Sequence, residues 1–496
     1  MMAAPLFEAL LLRTTKTAFQ WLYRCIVGVL TIVIATANCN SVNAIGLTQS
    51  GSLRPIDVAP GRGGSYPGIS GGVALGDNFI FDANDTVYGY EPWVTDGTQA
   101  GTHLLADIDP GTRGSRDWGT GGYVSLGGVA YFLVFKATEI DNGWQLWMSD
   151  GTPGGTRRAA WIFTEVDDTF GLKVAGKYLY WLGSSGSFTW LYRSDGTQDG
   201  TKPVYAFAAD ACWQAPASIG GTLFFVAKSL TDKSGCELWK SNGTRSGTKL
   251  VKDIYRGDSD PTLLVPKGSY LYFSLYDKAE VWRTNGTAAG TKRIASICRK
   301  KSDCYVSAIW PLGSTVLFAG DDGVNGNELW RTSGTPSSAK MVKNVRKGTD
   351  AFVNTDSVGN VIGNRLYFWA DDGAHGMEPW MSDGTSRGTR LVADINVGSA
   401  GSASVDFAGY LYAGPFISIF SGIFFGADAG SGSQLFALKG SMLSQIASDL
   451  PMVKPPKRNG ESVVNSLGLK RAGPALYVTF CSSSIGCELG VLSESP

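Results

Sequence analysis

One phrase recurs along this chain and constrains its fold more than any other feature. Its clearest copies read Glu-Pro-Trp-x-x-Asp-Gly-Thr-x-x-Gly-Thr, at 91–102 and again at 378–389. Relatives of it surround Trp147, Tyr192, Trp239, Trp282 and Trp330. A period of roughly fifty residues means an array of like units, each too small to bury its own apolar face. Every unit follows one grammar. A strand ends in a Gly-Gly turn. An aromatic strand of the type Leu-Tyr-Phe-x-Ala comes next, then an acidic, Gly-rich loop. After these come the Glu-Leu-Trp strand, the Asp-Gly-Thr-x-x-Gly-Thr loop and a strand ending in Val-x-Asp-Ile. These strands are A, B, C and D below. Four short antiparallel strands per repeat are the mark of a β-propeller blade.

The aromatic residue of strand C counts the blades. Trp93, Trp147, Tyr192, Trp239, Trp282, Trp330 and Trp380 mark seven. Phe436, in Gln-Leu-Phe-Ala-Leu, marks a decayed eighth, and the stretch 475–492 a ninth that lacks strand D. Far upstream, Leu53-Arg-Pro-Ile-Asp-Val-Ala-Pro-Gly matches the D strand and exit loop at 104–111. The reading is therefore an all-β protein: one propeller of nine four-stranded blades over residues 45–496, closed by an N-terminal strand that completes the last blade. Eight blades is the alternative count, and a division into two propellers the third. Closure removes the free edges that an open sheet must protect. In each unit the Trp is expected to pack between blades, where a flat side chain buries most area. Asp-Gly-Thr is read as turn chemistry, with Asp bonding its own backbone and Gly taking positive φ. The second Gly, at positions 101, 155, 200, 247, 290 and 388, is expected to do the same at the return. A turn tolerates the replacements Asn242, Asn285 and Ser333 more readily than a charge-dependent site would.

The residues before the repeats differ. Arg13, Lys16 and Arg24 precede an apolar run at 25–37, followed by small-x-small sites ending at Ala37 and Ala44. Residues 1–44 read as a signal peptide or an uncleaved signal anchor. Six of the eight cysteines then fall into three local pairs: Cys212 with Cys236, Cys298 with Cys304, and Cys481 with Cys487. Disulfides in an oxidising compartment are the economical reading. Lys and Arg together equal Asp and Glu at 43 each, and that balance argues against a nucleic-acid footprint.

The repeated phrase resembles the ELWxxDGT repeat family, found mostly in bacterial surface and secreted proteins. The likeness covers roughly residues 53–492. It implies a propeller-like architecture and almost nothing about activity. Glu-Pro-Trp stands for Glu-Leu-Trp in two units here, and units three, five, eight and nine are eroded.

Candidate sites follow from the loops. In a propeller the B–C loops and D–A connections share one face. Two B–C loops carry Asp-Asp-Gly-x-x-Gly-x-Glu: Asp321, Asp322 and Glu328, and Asp371, Asp372 and Glu378. Their oxygens could hold calcium. The rival is a Gly-rich turn whose Asp caps backbone amides, because the spacing is not that of an EF-hand. No other cofactor is indicated. His103 and His375 lie in different units, and no Ser-His-Asp order or His-Glu-x-x-His is visible, so no catalytic residues are assigned. Asn84, Asn242 and Asn285 open glycosylation triplets. Arg299, Lys300 and Lys301 form a basic loop, with contact to an anionic glycan as its sharper reading. Together these features point to a secreted or cell-surface scaffold that binds or adheres to protein or glycan ligands. It would touch a membrane only through an uncleaved anchor. An extracellular carbohydrate-active hydrolase or lyase, with acids at the channel mouth, is the alternative.

Overall fold

The computed structural model describes residues 53–493 except 61–63, 113, 116–121, 138–141, 163–167, 210–211, 213, 232–233, 276, 301–303, 347–358, 406–410, 413, 431–432, 447–467 and 483–485. The leader and its cleavage sites, and Lys301, lie outside these. Nine four-stranded antiparallel sheets follow one another as the blades of a nine-bladed propeller. Their strands A begin with Val73–Leu75, Val124–Leu126, Asp168–Ala175, Ala217–Ile219, Pro261–Lys267, Tyr305–Leu312, Gly359–Ile362, Ile417–Ile419 and Leu469–Ala472. Strands A of neighbouring blades approach one another and ring the axis.

The ninth blade is completed from the other end of the chain. Arg54–Ile56 pairs with Gly486–Ser493 in the register Arg54↔Val491, Pro55↔Gly490, Ile56↔Leu489. Strand D of that blade thus lies more than 400 residues upstream of its strand C, as the copy at Leu53 anticipated. A two-stranded hairpin, Ser404–Val405 with Leu411–Tyr412, is added between blades 7 and 8.

The apolar core sits between blades rather than within them. One cluster joins Trp310, Leu317 and Leu329 of blade 6 to Leu366, Phe368 and Trp380 of blade 7. Another seals the ring, joining Tyr477, Leu489 and Val491 of blade 9 to Phe79, Phe81 and Trp93 of blade 1. The strand-C Trp packs against the preceding blade each time, Trp239 on blade 3 and Trp282 on blade 4. Burying such a ring is worth a few kcal/mol, so each blade depends on its neighbour.

The C–D turns explain the repeated Asp-Gly-Thr. Asp96 Oδ1 accepts the amide and hydroxyl of Thr98 at 2.8 and 2.7 Å. Thr98 Oγ1 in turn accepts the Gly101 amide at 3.0 Å, and Thr102 Oγ1 bonds the Thr98 carbonyl at 2.7 Å. The same set recurs around Asp150, Asp195, Asn242, Asn285 and Asp383. Gly97 takes φ +88°, as a turn glycine does. The second glycine corrects the expectation. Gly101 does not have positive φ; a Cβ there would stand 2.2 Å from the Asp96 carboxylate. It is small so that the Asp can fold back over the loop.

Candidate functional site

Among the described residues, the B–C loops and D–A connections lie on one face of the ring, and the A–B and C–D turns on the other. The six acidic residues read as metal-ligand candidates play two different parts on the first face, four in loop turns and two in strand-D exits. Asp321 Oδ1 accepts the Gly323 amide at 2.7 Å. Asp322 accepts the amides of Val324 and Asn325 at 3.0 and 2.9 Å, and its other oxygen faces Asn325 Nδ2 and Arg299. In blade 7, Asp371 accepts Gly373 N and the Arg346 guanidinium. Asp372 accepts Ala374 N and His375 N at 2.9 Å each, and His375 Nδ1 lies 2.8 Å from its second oxygen. Blade 1 builds the same turn from Asn84 and Asp85. These are side chains that satisfy their own loop amides.

Glu328 and Glu378 play the second part. They open strand C and point away from the turn, into the exit from strand D of the same blade. Glu378 accepts the amides of Ile395 and Asn396 at 3.2 and 3.1 Å and the Ser402 hydroxyl at 2.6 Å. Glu328 accepts Val345 N and Arg346 N. The pattern repeats in three further blades. Glu91 takes Asp109 N, Ser115 N and the Ser115 hydroxyl. Glu237 takes the Ser259 hydroxyl and the Ile254 amide. Glu488 takes Val58 N, Ser65 N and Ser65 Oγ. All five carboxyls are fully buried. Strand D is correspondingly brief, only His103–Leu104, Lys249–Leu250 and Arg390–Leu391 in blades 1, 4 and 7. The Val-x-Asp-Ile segment, expected to be strand, leaves the ladder in these blades because the buried Glu takes over its amides.

Burial pushes these carboxyls up against the pull of their donors: Glu91, Glu328 and Glu488 to about 7 and Glu237 to about 8. Desolvation raises Glu378 in the same direction. Carboxyls in this range can act as acids or bases at neutral pH. Here each is enclosed in its own blade and bound to its own loop, and the five serve as clasps. Among the described residues none of the six metal candidates belongs to a set of three ligand atoms within 4.8 Å; the set that meets this spacing is Cys236, Asp258 and Asp260, whose sulfur is committed to a disulfide.

Blade 5 departs from the clasp. Glu280 opens its strand C, but it accepts Trp282 Nε1 at 3.0 Å, the Tyr255 hydroxyl and Arg293. Its strand D is longer, Lys292–Ser296, and the exit is closed by the Cys298–Cys304 disulfide instead. Cys212–Cys236 is the second disulfide. Cys481 stands opposite Cys487 in the B–C ladder of blade 9. Asn242 and Asn285 are exposed on C–D turns, and Asn84 is half-buried in its loop. His103 begins strand D of blade 1, on the opposite face from His375.

No protein-family model and no curated protein matches this chain. Among solved structures, a puromycin hydrolase mutant complexed with PGG is 12% identical, with TM-score 0.41 over 87% of this chain and 61% of that one. One of two prolyl endopeptidases analysed for inter-domain dynamics is 11% identical, with TM-score 0.39 over 73% and 54%. A further puromycin hydrolase is 13% identical, with TM-score 0.34 over 78% and 62%. The chain thus spans less than two thirds of each of these structures. At such identities and TM-scores they say nothing of its chemistry.

Proposed function

We propose that this protein is an exported propeller, of the kind the ELWxxDGT resemblance suggests, that acts as a binding or adhesion scaffold for a protein or glycan ligand. The supporting observation is where apolar side chains meet water. Of eight large apolar residues exposed among the described ones, seven lie at the B–C and D–A face, and only Met442 lies at the other. Val87 and Tyr88, Leu230 and Val324 stand on B–C loops, Phe188 and Phe135 flank such loops, and Val397 stands on a D–A connection at 85% exposure. These residues stand one or two to a blade on or beside the connecting segments of one face, where binding residues of a rigid scaffold are commonly carried, and the buried Glu clasps hold the D–A exits of that face. The two disulfides fit an oxidising compartment. Among the described residues no helix is long and apolar enough to cross a membrane.

The test is a glycan and surface-protein binding screen with the purified protein. Saturable binding is expected, weakened about tenfold or more in a Tyr88→Ser, Leu230→Ser double variant that leaves the melting temperature unchanged. Binding that is indifferent to these two residues, or a carbohydrate substrate turned over without saturable retention, would overturn the scaffold reading.

A further inference from the structure

The net charge of +0 hides a local concentration of positive charge on one face. On the C–D turn face, strand C and strand D place cations directly opposite one another in four consecutive blades. The ladder pairs Arg193 with Lys202 in blade 3 and Lys240 with Lys249 in blade 4. It pairs Arg283 with Lys292 in blade 5 and Arg331 with Lys340 in blade 6. Residues directly opposite in an antiparallel ladder project on the same side, and like charges there are destabilising. Among the described residues no ion pair takes up any of the eight.

The turn residues make the charge more one-sided. Blade 3 keeps a nearby carboxylate, Asp195, in its Asp-Gly-Thr turn. In blades 4, 5 and 6 that position is Asn242, Asn285 and Ser333. Asn keeps the turn, since Asn242 and Asn285 each accept their Thr amide and hydroxyl as Asp96 does. What is removed is the negative charge, and it is removed where the cation pairs stand. No acidic residue occurs in the A–B or C–D turns of these three blades.

The cations are also held in place from blade to blade. Lys240 Nζ donates to the Gly286 carbonyl at 2.6 Å, and Arg331 donates to the Gly384 carbonyl at 3.3 Å. The Arg193 and Arg283 side chains lie against Gly243 and Gly334. Each blade thus rests one cation on the turn of the next and leaves the partner cation exposed, as at Lys249, Lys292 and Lys340. The result is an arc of positive charge that repeats once per blade.

We propose that the turn face of blades 3–6 binds an extended anionic polysaccharide, one carrying sulfate or uronate groups at regular intervals. A linear polymer with repeated charges matches an arc with repeated cation pairs, and the disulfides fit an oxidising compartment, where acidic polysaccharides are the commoner polyanion. This surface is distinct from the apolar face, so either assignment can fail alone. It is also distinct from Arg299 and Lys300, which lie at the D–A face, with Arg299 paired to Asp322 at 3.2 Å.

The experiment measures retention of the purified protein on heparin, and its affinity for heparin, polygalacturonate, dextran and duplex DNA over a range of salt. Binding to the two acidic polysaccharides, falling steeply with salt, is expected, with none to dextran. Lys249→Gln, Lys292→Gln, Lys340→Gln together should weaken it about tenfold or more and lower the slope of log affinity against log salt by about 2–3. Arg299→Gln, Lys300→Gln removes charge at the D–A face instead and should leave it unchanged. A third variant, Asn242→Asp, Asn285→Asp, Ser333→Asp, restores the turn carboxylates. It should lose binding while melting no lower than the wild type. Wild-type affinity in the first or third variant, loss in the second, or tighter binding to duplex DNA than to either polysaccharide would overturn the proposal.

Discussion

Glu237 offers a test of the buried clasp with a definite sign. Its carboxyl stands at about 8 in the folded protein against a usual 4.5, chiefly through burial. A group raised in this way holds a proton in the folded state at pH values where the unfolded chain has lost it. Stability therefore falls as pH rises from 4.5 to 8. Each pH step in that window removes about 1.4 kcal/mol, so the loss at pH 8 reaches at most about 5 kcal/mol. Relaxation of the loop reduces this to a working range of about 2–5 kcal/mol. Glu237→Gln has nearly the same shape and can still accept the Ser259 hydroxyl, but it never carries the charge. At pH 4.5 the variant should melt within about 1 °C of the wild type. At pH 8 it should melt about 2–5 °C higher, because a propeller of this size unfolds with an entropy near 0.9 kcal/mol per degree. Thermal melts of both proteins every half pH unit supply the measurement. A difference that does not change with pH, or one that turns against the variant as pH rises, would refute the reasoning. It would mean that the Ile254 amide and the Ser259 hydroxyl outweigh desolvation and keep the carboxylate ionised.

Three further outcomes follow from the same geometry. Gly101→Ala should destabilise by about 1–3 kcal/mol through its clash with the Asp96 carboxylate, and that loss should largely vanish in an Asp96→Ala background; additive losses in denaturant melts would show that the clash is not the cause. Replacing Cys212 and Cys236 by Ser should lower stability by about 3 kcal/mol, since the bridge closes a loop between residues 24 apart, and an unchanged melting midpoint under oxidising conditions would contradict this. Calcium in place of EDTA should move the melting temperature by less than about 1 °C, because amides, Arg346 and His375 already occupy the carboxylates of Asp371 and Asp372; a rise of several degrees that disappears in Asp371→Asn would restore a cation to those loops.

The fold was legible because its signals are local. The aromatic residue of strand C and the glycine of the following turn lie within a few positions of each other, and the copy at Leu53 announced the ring closure directly. The clasps were not legible in the same way. Glu378 reads as part of an acidic loop because Asp371 and Asp372 stand just before it, yet its partners are Ile395, Asn396 and Ser402. For Glu488 they lie 423–430 residues away, at the start of the propeller. The one available sign was a serine following four of the five exits, at Ser65, Ser115, Ser259 and Ser402. Charge was hidden for a different reason. A net count sums over both faces, and Lys240 and Lys249 become a like-charged pair only once the turn between them is known to bring them opposite each other.

The closing strand also decides how the ring answers a pull. Arg54–Ile56 and Gly486–Ser493 run antiparallel, so the chain enters the ninth blade and leaves it on the same side, where the Arg54 guanidinium donates to Ser493 Oγ at 2.9 Å. Tension applied between residues 53 and 493 peels this ladder one bond at a time, beginning at that contact, and does not shear its bonds together. The ladder between strands C and D of blade 9 is thus the weak link under load applied at these two residues. If one end is held and the load arrives through a ligand on the ring, the ladder is bypassed, and the force is shared by the packed interfaces between blades.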